Sequence, residues 1–344
     1  MIKVHIKAGG SEKKHDIRGI GVNTRELVKA LSKIPEIRFV EDDNDADILH
    51  IPSFSLFSLN LPFKKKSKLV VTIHDLIPLI YPKHYPPGIK GRVSFQIQKR
   101  LIKNADAIIT ISETSKKDIV RLLGIEKEKI FPIYLAPQTH IHKITSNKVL
   151  EKIKEKYNLP KKFVFYVGDV NYNKNLYTLA DACVVANATL VIVGKSAVQD
   201  IQNYYHIELQ PFRDLIEKFG NSSYIKRVGF VEDDELSALY SLATLYCQPS
   251  YYEGFGFPTI EAMKVGVPVI SAKTQALVEV NGKAAQYFNP DNSNELSALL
   301  RKNLKDDNLR KKYSKLGLKH VNKYSWEKTA EETYKVYKHL VNEK

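Results

Sequence analysis

Two glutamates, Glu253 and Glu261, bracket a short run of glycine and aromatic residues: Gly254, Phe255, Gly256, Phe257 and then Pro258. Pro258 suits the first residue of a helix, where its missing N–H is not needed. The two glycines let a backbone approach a ligand closely, and the unpaired N–H groups of a helix start bind anions or hydroxyls. Glu253 then belongs to the loop and Glu261 to the first helical turn, so the two carboxylates are not stacked on one helix face. They suit two parts of one long polar ligand, and a ribose diol is a familiar partner for such a carboxylate. The plainer reading is a glycine-rich loop with a glutamate that complements the helix dipole. Lys174, in the run Asn173, Lys174, Asn175, sits where a helix begins and opposes that helix's dipole unless an anion lies nearby. A diphosphate would supply the anion, and the cation would stabilise it as a leaving group. A solvated surface lysine is the alternative.

Gly19 and Gly21 form a G-x-G at a first strand-to-helix junction, a place suited to backbone contact with phosphate. The third glycine and the acidic partner of a dinucleotide fingerprint are missing, which speaks against a nicotinamide-dependent oxidoreductase. His74 and Asp75 close an apolar run, which sets the imidazole at a strand's carboxyl end. Asp45 and Asp47 form a D-x-D, but inside an acidic run that reads as a solvated loop. No His/Cys cluster has metal-ligand spacing, so the expectation is no metal and no cofactor. No G-x-S-x-G elbow is present.

The elements that must place these groups alternate along the chain. Strands are predicted at residues 2–8, 47–51, 69–74, 107–112 and 130–135, with helices at 22–31, 90–103 and 115–123 between them. A polar stretch at 137–146 reads as a linker. Strands resume at 163–167, 189–193, 225–228, 244–248 and 267–271. Such alternation means parallel sheets with helices on both faces, and such sheets bind ligands beyond their carboxyl ends. The 344 residues exceed one ordinary core. The class is therefore α/β, with two doubly wound, Rossmann-like domains facing a cleft. Glu253, Lys174, Gly19, Gly21 and His74 each close or follow one of the predicted strands.

The net charge is +15, and most of the excess falls in the first 150 residues. No nucleic-acid-binding motif accompanies it, which leaves an anionic membrane surface or simple solubility. The mixed basic and apolar run at 90–103 is the candidate membrane face; a core-packed helix with a lysine-rich outer side is the alternative. No apolar run reaches the roughly 20 residues of a membrane span. The opening residues read as a strand and not a signal peptide. Cys183 and Cys247 each lie in an apolar stretch, as buried thiols in a reducing compartment do. A cytoplasmic protein, peripheral on the inner face of the membrane if it binds one, is expected.

Taken together, the residues resemble the retaining, GT-B glycosyltransferases of family 4, also called glycosyl transferases group 1. The segment from Pro249 to Ile270 matches that family's E-x7-E signature and its flanks. Arg18 to Gly21, Val71 to Asp75, Ala105 to Ser112, Tyr166 to Gly168, Asn173 to Asn175 and Val228 to Val231 add matches in the expected order. Tyr324 to Ala330 is similar to the start of a last helix that crosses back onto the N-terminal domain. The resemblance implies domains at 1–140, completed by a helix at 326–344, and at 146–325, the first binding acceptor and the second donor.

It also implies roles. Glu253 and the backbone of Gly254, Phe255, Gly256 and Phe257 hold the donor sugar, and Glu261 holds the ribose. Lys174, with Asn173 beside it and the Gly19 and Gly21 amides, serves the diphosphate; Phe230 and Val231 border the base; His74 lies near the transferred sugar. Transfer would retain anomeric configuration without a metal, by a front-face route in which the departing phosphate helps deprotonate the acceptor. The donor is a nucleotide-diphosphate sugar, with GDP-mannose favoured by the run His74 to Pro78 and UDP-sugars open; the acceptor is a glycan or lipid-linked glycan. The sequence departs from many relatives in carrying Asp169 and Asn173 where they place an arginine near the diphosphate, so Asp169 should point away and Arg18 is one candidate substitute. A hydrolase or epimerase of the same fold, or a non-catalytic sugar-nucleotide binder, is the alternative.

Overall fold

The computed structural model describes residues 1–7, 20–199 and 205–342; Arg18 and Gly19 lie outside these, as do the last two residues of the 326–344 helix. The chain divides into unit 1, residues 1–138 and 324–344, and unit 2, residues 139–323.

Unit 1 holds a six-stranded parallel sheet: β1 (Ile2–Ile6), β2 (Ile37–Phe39), β3 (Ile48–Ile51), β4 (Lys68–Ile73), β5 (Ala107–Thr110) and β6 (Ile130–Pro132), in the order β2-β1-β3-β4-β5-β6. The central strands are apolar on both faces because helices cover both, as all-parallel sheets require. Helices α1 (Ile20–Leu31) and α2 (Gly88–Leu101) belong to this unit. The run predicted as one helix at 115–123 is a short α-helix, Glu113–Asp118, that widens into a π-turn at Ile119–Leu123 before Gly124 stops it in the left-handed region. Unit 2 repeats the plan with β7 (Val164–Val167), β8 (Leu190–Val193), β9 (Ile225–Val228), β10 (Leu245–Gln248), β11 (Val269–Ala272) and β12 (Ala285–Phe288), in the order β12-β11-β10-β7-β8-β9. Helix α3 (Leu176–Val185) follows β7, and α4 (Phe257–Val265) follows β10.

Two of the four edge strands, β2 and β12, were not predicted; each is three or four residues long and takes its register from its neighbour, Ile2 against Ile37 and Val269 against Ala285. The last helix, α5 (Trp326–Asn342), packs on α1 within unit 1. The Trp326 indole donates to the carbonyl of Pro137 at 3.2 Å, and Thr329 donates to that of Tyr134 at 2.8 Å. Deeper in, the buried His50 ring of β3 shares hydrogen bonds with the Tyr337 hydroxyl of α5 at 2.6 Å and with Thr72 of β4 at 2.8 Å. Burial holds that imidazole neutral, down to about 3.

Candidate functional site

In unit 2 the strand order reverses between β7 and β10, and the crevice beyond the carboxyl ends at such a reversal is where doubly wound sheets bind ligands. The loop after β7 carries Lys174, and the loop after β10 carries Glu253. Both come to the same spot: the Lys174 ammonium donates to Glu253 Oε1 at 2.8 Å and to Oε2 at 3.0 Å. The pair is mostly enclosed, the side chains being 21% and 10% exposed. The anion facing Lys174, expected from a ligand, is supplied in the free protein by Glu253.

The two loops are laced together. Asn173 Nδ2 donates to the carbonyl of Tyr252 at 3.0 Å, and its own carbonyl accepts from the N–H of Tyr251 at 2.8 Å. Tyr172 and Tyr251 stack with ring centres 5.5 Å apart. Asn175 takes a left-handed backbone (φ 52°) to start α3, and its amide donates to the carbonyls of Pro249 at 3.0 Å and Pro290 at 2.9 Å. Asn173 is thus turned toward the protein, and the asparagines fix the lysine between them. Asp169 is exposed.

Glu253 rests in a cradle that the sequence reading passed over. Ser250 donates to Glu253 Oε1 at 2.7 Å, and Gln248 Nε2 donates to the same oxygen at 3.0 Å. The Gln248 carbonyl oxygen in turn accepts from the Tyr246 hydroxyl at 2.5 Å, so the amide's orientation is fixed. The available signal was a glutamine closing an otherwise apolar strand. Gly256 has φ 102°, a value L side chains avoid, and it starts α4. Because α4 begins at Phe257, Glu261 falls in its second turn, a correction to the first-turn placement. Glu261 is buried, and its Oε2 accepts from the Tyr240 hydroxyl at 3.0 Å. Gly254 and Phe255 are buried, Phe257 is partly so, Val231 is buried and Phe230 is 43% exposed.

In unit 1, His74 follows the last residue of β4. Its carbonyl accepts from Ser115 at 2.9 Å, while Nδ1 is enclosed and has no hydrogen-bond partner among the described residues. Burial pushes the imidazole down to about 4, although one edge of the residue still reaches solvent. It lines a chamber of about 20 Å³ with Asn23, Thr24, Thr72, Thr329 and Thr333. Gly21 lies in the first turn of α1. Asp47 of the D-x-D accepts from the N–H of Lys3 at 2.8 Å, a strand-capping use. Among the described residues no cluster of His, Cys, Asp or Glu is placed to hold a metal. Cys183 and Cys247 are buried free thiols, both pushed upward by burial. No helix of the described residues is long and apolar enough to cross a membrane.

Residues 149–320 match the family described as glycosyl transferases group 1, and residues 7–136 match glycosyltransferase family 4. The chain is 29% identical over 303 residues to O-antigen chain mannosyltransferase B of Escherichia coli, an alignment covering 85% of this chain and 74% of that one. It is 28% identical to the serotype-specific mannosyltransferase WbdA of Escherichia coli over 86% of its own length but only 35% of WbdA's. The fold is similar to that of Anabaena Alr3699/HepE solved with UDP-glucose, with a TM-score of 0.75 at 16% identity, covering 98% of this chain and 100% of the other.

Proposed function

From the premise that this chain is a glycosyltransferase, a member of group 1 with the two-sheet GT-B fold, we propose that it moves mannose from GDP-mannose to a hydroxyl of a glycan or lipid-linked glycan. The transfer retains anomeric configuration and uses no metal. The observation carrying this reading is the Lys174–Glu253 pair at the strand-order reversal of unit 2, with Glu261 on the helix that follows. The mannose choice is supported by the mannosyltransferases among the relatives.

On donor binding the diphosphate takes the Lys174 ammonium, and Glu253, released but still held by Ser250 and Gln248, turns its acceptor oxygens to the sugar hydroxyls. Glu261, oriented by Tyr240, accepts from the ribose diol. Phe230 and Val231 border the base, and the backbone from Gly254 to Phe257 lies along the sugar. In unit 1 the neutral His74 and the Gly21 amide serve the donor as hydrogen-bonding groups. The bond from the anomeric carbon to the β-phosphate oxygen breaks, that oxygen takes the acceptor's proton, and the acceptor oxygen bonds the same face of the sugar. The protein supplies position and one cation, which is where catalysis by preorganised electrostatics resides. The two buried thiols suit a reducing, cytoplasmic setting.

A thermal-shift panel of nucleotide sugars tests the donor, because a bound donor raises the melting temperature by mass action. GDP-mannose should give the largest rise; a UDP-sugar giving it instead would replace the donor. Transfer in excess EDTA should continue at its normal rate, and loss restored by a divalent cation overturns the metal-free reading. Donor cleavage with no sugar on any acceptor would favour a hydrolase.

A further inference from the structure

The amino ends of β4, β5 and β6 frame an open cavity of about 700 Å³ in unit 1. Lys64, Lys65, Lys68, Lys103 and Lys129 line it, with Asp106 as the one acidic residue. Lys65 and Lys68 face that carboxylate at 2.5 and 3.9 Å, and Lys129 lies 3.8 Å from Glu126. Lys64 and Lys103 have no acidic partner among the described residues, and both are exposed. Cations gathered at one rim repel one another, so the arrangement is stable when it faces an anionic partner. Beside the lysines stands Phe63, 69% exposed, and on the same loop Leu59 is 47% exposed. The acidic run bounds this rim on the β3 side, where Asp43 accepts from Ser67 at 2.5 Å.

Within unit 1 the rim lies at the opposite end of β4 from His74. β4 runs from Lys68 at this rim to Ile73, just before His74, a span of about 20 Å for six extended residues.

We propose that this rim is a docking surface for an anionic bilayer. A single phosphate would be met by converging donors in a tight site; here the cations are spread around a wide mouth, which fits the smeared charge of headgroups. The exposed phenyl ring beside them suits the boundary between headgroups and acyl chains, where aromatic rings partition. The start of α2 also sets exposed Ile89 and Val93 beside exposed Lys90 and Arg92, so Lys90→Gln with Arg92→Gln, which should leave binding unchanged, separates the two surfaces.

The experiment is co-sedimentation of the full chain with vesicles of phosphatidylglycerol and phosphatidylcholine, and with phosphatidylcholine alone. Binding should need the anionic lipid and weaken as salt shortens the screening length. Each lysine near such a surface changes the partition coefficient about five-fold, so Lys64→Gln with Lys103→Gln should lower it about 25-fold. Phe63→Ser should lower it roughly ten-fold, and that loss should persist in high salt because it is apolar. Lys302→Gln with Lys305→Gln, exposed positions in unit 2, should leave binding unchanged. Melting temperature and donor-induced thermal shift serve as controls and should match wild type throughout. Rim variants that bind like wild type, or unit 2 variants that lose as much as the rim variants, overturn the proposal. So does stoichiometric pyrophosphate binding that the Lys64/Lys103 variant alone loses while vesicles are ignored, which would make the cavity a soluble-anion site.

Discussion

Replacing Lys174 with methionine keeps the apolar stem and deletes the charge, and the structure gives two separable consequences. In the free protein Glu253 loses bonds of 2.8 and 3.0 Å but keeps Ser250 at 2.7 Å and Gln248 at 3.0 Å. A hydrogen bond to a charged group contributes about 1.5–3 kcal/mol, and the residual 21% exposure of the lysine moves this toward the lower end. For a unit of this size, about 2–4 °C per kcal/mol predicts a melting temperature lower by roughly 3–8 °C. In turnover, the diphosphate loses its cation, and removing one preorganised group of this kind costs about 10²–10³ in kcat. The double variant Lys174→Met with Glu253→Gln should recover most of the stability, because no carboxylate is left stranded, yet stay as slow as the single variant. Scanning calorimetry and initial rates of nucleoside diphosphate release at saturating donor read the two effects. Turnover of Lys174→Met within about three-fold of wild type refutes the leaving-group role, and an unchanged melting temperature refutes the ion pair.

Tyr240→Phe removes the 3.0 Å bond to Glu261 and should raise the donor KM about 3–10-fold with kcat nearly unchanged; a fall in kcat alone would separate Glu261 from the ribose. Gly256→Ala forces an L residue to φ 102° and sets a Cβ 2.6 Å from Leu277 Cδ2, costing about 1–3 kcal/mol, so the melting temperature and the donor-induced shift should both drop; wild-type values for both would remove the strain argument. His50 and His74 are pushed down by burial to about 3 and about 4 from an ordinary 6.5, so the unfolded chain takes up their protons first as pH falls. Their stabilising effect is therefore complete above about pH 6.5 and is lost as pH falls toward 4 for His74 and toward 3 for His50, at up to about 1.4 kcal/mol per pH unit for each ring. Urea midpoints across that range should show a shallower slope for His50→Gln; the wild-type slope in that variant would count against it.

The central strands were legible because runs such as Leu-Val-Val-Thr-Ile and Val-Phe-Tyr-Val, bounded by polar loops, leave little choice of period. Ile37–Phe39 and Ala285–Phe288 were not, since Ile-Arg-Phe and Ala-Gln-Tyr-Phe are too short and mixed to show a period, and pairing with β1 and β11 makes them strands. The π-turn at Ile119–Leu123 leaves no trace in a helical pattern. At the site, the placing of Lys174 and Glu253 after two strands could be read from each loop separately. That they meet could not, because Lys174 and Glu253 are 79 positions apart and it is the β7–β10 pairing that sets their loops side by side. Glu261 was set in the first turn because Pro258 was taken as the helix start; Gly256 caps the helix and Phe257 opens it, which carries Glu261 one residue further, into the second turn.

The packing of α5 has a consequence for how the protein is made. Unit 1 contains residues 1–138, but the hydroxyl that anchors buried His50 belongs to Tyr337. A ribosome adding roughly 5–20 residues per second needs on the order of 10–40 s to travel from the end of that first stretch to α5. Unit 2, contiguous in sequence, can close in that interval, while the first sheet waits with the flank for α5 still open to water and to chaperones. Nascent chains stalled before Trp326 should therefore resist protease across unit 2 and remain cleavable in unit 1, so that the first half of the protein to be synthesised is the last to be finished.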